Sequence, residues 1–206
     1  MVAIIDYDAG NIKSVEKAVQ ALGREVVVTR DKIDILKADY VILPGVGAFG
    51  DAMNKLDQYN LIPVIKEVVA KGTPFLGICL GLQLLFETSE ESPGIAGLGI
   101  LKGKIKKIPS DFGLKIPHIG WNSLSYPNKG RLYKGISEHS YVYFVHSYYL
   151  EAEEKDIVVA ATEYGCTIHA SVEKDNVFAC QFHPEKSSTV GLKIIENFLT
   201  IPEEDK

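Results

Sequence analysis

Residues 2–7 form a nearly continuous apolar run, the pattern of a parallel strand buried on both faces. Residues 8–11 break it as a turn. Apolar Ile12, Val15, Val19 and Leu22 then recur at helical spacing, with Ala18 filling in and Gly23 closing the helix. Residues 25–29 read as a second strand, Asp31 as the cap of a short helix reaching Lys37, and residues 40–43 as a third strand. Helical stretches follow at about 51–56 and 62–70, and a fourth strand ends at Cys79. Strands alternating with helices predict parallel βαβ units and a doubly wound sheet. In such a sheet the ligand site lies at the carboxyl ends of the strands.

Beyond a polar loop at 87–94 the pattern changes. Residues 104–108, 123–126, 141–150, 157–163, 168–172 and 177–182 read as strands with no helices between them, so part of this half is expected to be antiparallel. Ser187 is expected to cap a last helix with Val190, Ile194, Ile195 and Phe198 apolar, and the charged tail 202–206 to fray. No repeat, linker or low-complexity segment interrupts the chain. The expectation is a single domain over residues 1–206, of α/β class, with a doubly wound, mostly parallel sheet and antiparallel additions in the C-terminal half.

Composition removes several function classes. The formal net charge of −5 is spread along the chain, which argues against a nucleic-acid or anionic-membrane surface. No apolar run reaches the ~18 residues of a membrane span. Residues 1–6 lack the basic region and cleavage site of a signal peptide. Cys79, Cys166 and Cys180 are odd in number and not closely paired, so no disulfide framework is expected. No C-x-x-C, H-E-x-x-H or phosphate-binding G-x-x-x-x-G-K-[ST] occurs. A cytoplasmic protein without metal or cofactor is the simplest expectation.

The chemistry centres on Gly77-Ile78-Cys79-Leu80-Gly81. It follows the apolar run 74–76 and precedes the helical pattern 82–87, giving strand, sharp turn, helix. That is the context of a nucleophile elbow with Cys in place of Ser. The turn strains the central residue, so small neighbours are needed, and Gly77 and Gly81 supply them. A helix starting at Leu80 aims free N–H groups and its positive dipole end at the sulfur, which favours thiolate. The competing reading is a buried structural cysteine.

Gly45-Val46-Gly47-Ala48-Phe49-Gly50 matches a dinucleotide fingerprint and follows a strand. The acid such a site needs on the next strand is missing, because Glu67 falls inside a helical pattern. The turn has a better use beside the elbow. An acyl-transfer site needs two backbone donors for its oxyanion, one from the residue after the nucleophile, Leu80, and one from a neighbouring loop such as this one.

A nucleophilic Cys also needs a base with an orienting partner. His183, in Gln181-Phe182-His183-Pro184-Glu185, ends a strand. Positions i and i+2 of an extended segment share a side, so Glu185 can hold one ring nitrogen while the other faces the sulfur. His146 is the second candidate base, without an adjacent acid, and is expected instead to line the pocket, as is His118. His139 and His169 are expected to be solvated.

With these residues placed, the chain resembles the class I, or triad, glutamine amidotransferases. Within them it is most similar to the glutaminase subunits of imidazole glycerol phosphate synthase, of histidine biosynthesis. The resemblance is carried by Asp6-Tyr7-Asp8-Ala9-Gly10-Asn11, the Pro44–Gly50 turn, the elbow through Glu87, and His183-Pro184-Glu185-Lys186-Ser187-Ser188. Pro117 to Asn122 and Tyr143 to Tyr148 also fit. Asp8 departs from the family, which often has Gly there, and this bears on the local turn.

The resemblance implies a Cys79–His183–Glu185 triad that hydrolyses glutamine to glutamate and ammonia. It implies oxyanion donors around Val46, Gly47 and Leu80, and substrate contacts at Gly47, Gln83, Glu91, Ser147 and Tyr148. Glu91 suits the substrate's ammonium as a counter-charge. Ammonia is mostly protonated near neutral pH and then a poor nucleophile, so a synthase gains by receiving it directly. No second site is legible in this chain. The resemblance names the partner as a (β/α)8-barrel cyclase subunit forming a heterodimer, with Asn11, Trp121, Tyr143 and Lys186 near the interface. Two alternatives stand beside this reading. The chain could serve another synthase, such as those for anthranilate or pyridoxal phosphate, against which the N-terminal turn and Lys186-Ser187-Ser188 speak. It could also be a non-catalytic scaffold, although no triad member is missing.

Overall fold

The computed structural model describes residues 1–8, 10–110 and 113–201. The expectations for residue 9 of the first turn and for the tail 202–206 lie outside them. The N-terminal half alternates as its periodicity predicts: β1 (Val2–Ile5), α1 (Ile12–Ala21), β2 (Val26–Thr29), α2 (Lys32–Lys37), β3 (Tyr40–Gly45), α3 (Phe49–Gln58), α4 (Leu61–Ala70), β4 (Phe75–Cys79) and α5 (Leu80–Leu84). Two strands of a small sheet follow, β5 (Thr88–Ser89) and β6 (Gly103–Lys107). Then come β7 (His118–Ser123), β8 (Tyr141–His146), β9 (Tyr148–Ala152), β10 (Val158–Glu163), β11 (Thr167–Lys174), β12 (Val177–Cys180) and α6 (Ser188–Phe198).

The central sheet runs β10-β11-β12-β4-β3-β1-β2. From β12 to β2 the strands are parallel, and β11 and β10 add antiparallel strands at one edge. Side chains alternate across it, as the two faces of a strand require. Val2 and Ile4 of β1 pack with Val15 and Val19 of α1 and Ile194 and Phe198 of α6. Ala3 and Ile5 face the other side, with Leu56 of α3, Val64 of α4 and Leu82 of α5. A sheet covered on both faces accounts for the continuous apolar runs.

Several boundaries differ from the sequence pattern for identifiable reasons. The elbow helix stops at Leu84, because the carbonyls of Leu84, Leu85 and Phe86 accept bonds from the backbone of Leu98 to Leu101 instead of from a further turn. The loop after it contains β5, which pairs with β6. The strand expected at 123–126 is instead β7, and Ser125 makes only an isolated bridge to Ala161. Its burial pattern is inverted: His118 is buried, while Ile119 and Trp121 face outward. The run 141–150 breaks at Ser147 into β8, which pairs with β7, and β9, which pairs with β6.

Asp31 caps α2 as expected, accepting from Ile33 N at 2.7 Å. Ser187 precedes α6 but does not cap it. Its hydroxyl donates to the His183 carbonyl at 2.7 Å and accepts from Tyr143 N at 2.9 Å. Asp8 takes up φ 65°, a left-handed conformation that glycine adopts most readily. Its carboxylate accepts from Tyr59 Oη at 2.5 Å, Arg30 at 2.8 Å and Lys55 at 3.1 Å. These bonds, that of Tyr59 foremost, hold its carboxyl well below the usual range. They anchor Asp8 in that conformation.

Candidate active site

Three neighbouring parallel strands, β3, β4 and β12, end side by side, with Gly45 beside Cys79 and Cys180 beside Ile78. Cys79 closes β4 with φ 56° and α5 begins at the next residue. The elbow is tight: a Cβ on Gly81 would lie 1.9 Å from the Leu43 carbonyl oxygen, so only glycine lets α5 sit this close to β3.

Two residues beyond Phe182's neighbour Gln181, His183 brings Nδ1 to 2.8 Å from Glu185 Oε1. The extended geometry expected for this pair is not what joins them. His183 itself is extended, but Pro184–Lys186 is a 3-10 turn, with proline at its favoured first position, and the turn folds Glu185 back under the ring. Glu185 Oε1 also accepts from Asn11 Nδ2 at 2.6 Å. His183 Nε2 and Glu185 Oε2 are buried without a hydrogen bond of regular geometry. Burial alone would push the His183 ring toward neutrality, but the interaction with Cys79 and that with Glu185 outweigh it and raise the pKa to about 9.

A cavity of about 320 Å³ opens over the sulfur and is lined by Cys79, His183, Val46, Gly47, Leu80, Gln83, Glu91, Ser147 and Tyr148, together with Pro117, Val145 and His146. Glu91 reaches it from the loop after α5. Its Oε2 accepts from Phe49 N at 2.8 Å, at the amino end of α3, where a carboxylate is favoured. Gln83 is buried, and its Nε2 donates to the Tyr148 carbonyl at 3.1 Å and to Gln181 Oε1 at 3.0 Å. Gln181 in turn donates from Nε2 to Cys79 Sγ at 3.7 Å. Sequence reasoning passed over Gln181, although its i, i+2 spacing from His183 placed it on the same side of the chain.

His146 lines the cavity as expected, with Nδ1 2.8 Å from the Tyr148 carbonyl. His118 does not. It lies behind His146, 3.0 Å away, between the rings of Phe144 and Tyr164. Burial lowers both, His118 to about 4 and His146 to about 3. His139 is exposed, but His169 is half-buried and accepts from Ala152 N at 3.0 Å, so it is not simply solvated.

Of the residues expected at an interface, Trp121 is 52% exposed and meets Tyr143 edge-on. Exposed Ile119 and Tyr141 extend the same face of the β7–β8 pair. The Tyr143 carbonyl accepts from His183 N at 2.9 Å, so this face adjoins the candidate base. Lys186 is exposed beside Glu185, and Asn11 reaches inward to that carboxylate. Among the described residues, no group of three or more His, Cys, Asp or Glu is placed to hold a metal ion. A thiol, an imidazole with a carboxylate behind it and a turn beside the sulfur together suit acyl transfer through a thioester.

The family model described as glutamine amidotransferase class-I matches residues 3–201. The chain is 51% identical to the imidazole glycerol phosphate synthase subunit HisH of Moorella thermoacetica over 197 residues, covering 96% of this chain and 93% of that one. It is 53% identical to HisH of Aquifex aeolicus over 196 residues, covering 95% and 94%. In fold it is similar to a crystal structure of a glutamine amidotransferase, with a TM-score of 0.77 at 20% identity, covering 98% of this chain and all of that one.

Proposed function

The chain belongs to the class-I glutamine amidotransferase family, and from that premise we propose that it is the glutaminase subunit of imidazole glycerol phosphate synthase, supplying ammonia for histidine biosynthesis. The observation that carries the reading is the convergence of Cys79 and the His183–Glu185 pair on one cavity. In this reading Sγ of Cys79 attacks the side-chain amide carbon of glutamine, and the carbonyl oxygen takes the negative charge. Backbone N–H groups at Leu80 and in the Val46–Gly47 turn receive that charge. Collapse expels ammonia with a proton from His183, whose raised pKa keeps the proton available at neutral pH. The thioester then takes up a water deprotonated by His183, and glutamate leaves. Glu91 faces the substrate's ammonium, with Gln83, Ser147 and Tyr148 lining the rest of the cavity.

Residues 1–206 act as a single domain in this reading, in the cytoplasm and without a cofactor. The second site is on a partner, a (β/α)8-barrel cyclase subunit, in a heterodimer. The exposed aromatics of β7 and β8, with Trp121 and Tyr143 at their centre and Lys186 and Asn11 beside them, form the docking face, which suits the aromatic anchors of protein interfaces.

The test is Cys79→Ala assayed with the barrel subunit. It should abolish glutamine hydrolysis and leave synthesis from added ammonium salt intact. Full glutaminase activity in the variant would overturn the assignment.

A further inference from the structure

Gln181 is fully buried with one edge of its amide on the nucleophile, and its neighbours leave it one orientation. The fixed point is the Tyr148 carbonyl, which can only accept. It receives Nε2–H of Gln83 at 3.1 Å and Nδ1–H of His146 at 2.8 Å. The same Gln83 nitrogen lies 3.0 Å from the Gln181 amide, so the Gln181 atom there is oxygen. Its nitrogen is thereby turned to the Cys79 sulfur, at 3.7 Å. The logic also runs outward. With its proton on Nδ1 and its ring neutral, His146 accepts at Nε2 from His118 Nδ1 at 3.0 Å. His118 Nε2 then accepts from Asn122 Nδ2 at 3.4 Å. No donor or acceptor along this chain is free to reverse.

We infer that Gln181 is a catalytic hydrogen-bond donor to the Cys79 sulfur, held in its donating orientation by Gln83 and the Tyr148 carbonyl. This rests on the glutaminase reading above. A sulfur carrying charge accepts a hydrogen bond far better than a neutral one. The Gln181 donor therefore favours the thiolate before attack and again when water expels it from the thioester. His183 also serves the sulfur, but it surrenders its proton to the departing ammonia. An amide does not titrate, so Gln181 remains a donor throughout the cycle.

The experiment uses Gln181→Met, which keeps the length and removes the donor, and Gln181→Asn, which draws the amide back by one methylene. Both are assayed as full chains with the synthase partner. Iodoacetamide modification of Cys79, followed by peptide mass spectrometry, reads the sulfur without substrate binding. We expect alkylation at neutral pH and kcat to fall together, by about tenfold, the lower range for losing a bond to a charged group. KM should stay within about threefold, because the donor faces the sulfur, not the substrate. The pH–rate profile of alkylation should move to higher pH. The titratable groups facing the sulfur, His183 with Glu185 behind it, Tyr7 and Cys180, and those lining the cavity over it, Glu91, His146 and Tyr148, are the same in wild type and variants, so that displacement belongs to Gln181. If Gln181→Met does not fold, Gln181→Asn decides by the same criteria. Alkylation and kcat both within twofold of wild type, with an unmoved profile, would overturn the inference. Cys79→Ala in the same assay separates the two claims: if it retains activity the glutaminase reading fails, and if it is inactive while the Gln181 variants match wild type, only this inference fails.

Discussion

In the proposed cycle His183 hands a proton to departing ammonia, so it has to hold one first. The surroundings of His183 do this, raising its pKa to about 9 against the effect of burial. The proton carrier and its carboxylate partner can be removed separately. His183→Ala deletes the proton carrier, whereas Glu185→Ala leaves an imidazole that still reaches the sulfur part of the time. The loss in kcat should be at least about tenfold larger for His183→Ala. Glu185→Gln removes an anion beside the ring, so the alkaline limit of kcat should move to lower pH. A larger loss for Glu185→Ala in a folded protein, or an unmoved limit for Glu185→Gln, would contradict these roles. At this scale the sequence was informative where chemistry leaves a signature in residue type. A Cys between two glycines and a His-Pro-Glu ending are such signatures. A glutamine at the end of a strand is not, because what gives Gln181 its place is the sulfur lying across the sheet on β4.

Among the elements, the turn joining β3 to α3 has two glycines that do different things. A Cβ on Gly45 would lie 2.3 Å from Tyr7 Oη and 3.0 Å from Leu80 Cβ, so Gly45 is required by packing. Gly47 has open space around it but φ of 104°, a conformation in which other residues are strained. Rotational freedom therefore resides in the Val46–Gly47 peptide. Turning it by half would carry Gly47 toward negative φ and decide whether N–H or C=O faces the oxyanion, and docking of the liganded partner is expected to switch the N–H inward. Losing one such donor costs roughly 10²–10³ in rate. The free chain should thus have a kcat for glutamine lower by about that factor than the complex with the liganded partner. Gly47→Ala should shrink the ratio, because alanine holds only one of the two orientations without strain. Equal kcat values for wild type, free and complexed, would remove the switch. Periodicity revealed the elements of the parallel half because both faces of that sheet are buried. It misplaced β7, whose outward residues are the apolar ones, and it overran Ser147, where the chain passes from one small sheet to another.

For the molecule as a whole, histidines contribute to the pH dependence of stability, and His169, lowered by burial, acts with the same sign as His118 and His146. His118 and His146 are buried neutral, with pKa values lowered from 6.5 to about 4 and about 3. As pH falls through 6.5 the unfolded chain binds protons that the folded chain refuses, so stability declines by up to about 1.4 kcal/mol per pH unit for each. The decline ends near pH 4 for His118 and near pH 3 for His146. His183 has the opposite sign: its stabilisation is complete below 6.5 and is lost as pH rises through about 9. Urea midpoints measured from pH 5 to 8 should rise with pH up to about 6.5, and His118→Gln should flatten the acid side. A midpoint indifferent to pH across that range would rule this out. The overall architecture was readable because alternating strands and helices admit few topologies. The position of β12 between β4 and β11 was not, since no local pattern states which earlier strand a late one will join. That position has a consequence for how the protein is made. Gln181 meets Cys79 across 102 positions of the chain, and His183 follows two residues later. On the ribosome, the nucleophile emerges long before its donor and its base, and β4 waits as an unfinished edge. With the roles proposed above, the thiol is not armed until the last strand slides in beside it, and an interrupted translation product should carry the cysteine but not the chemistry.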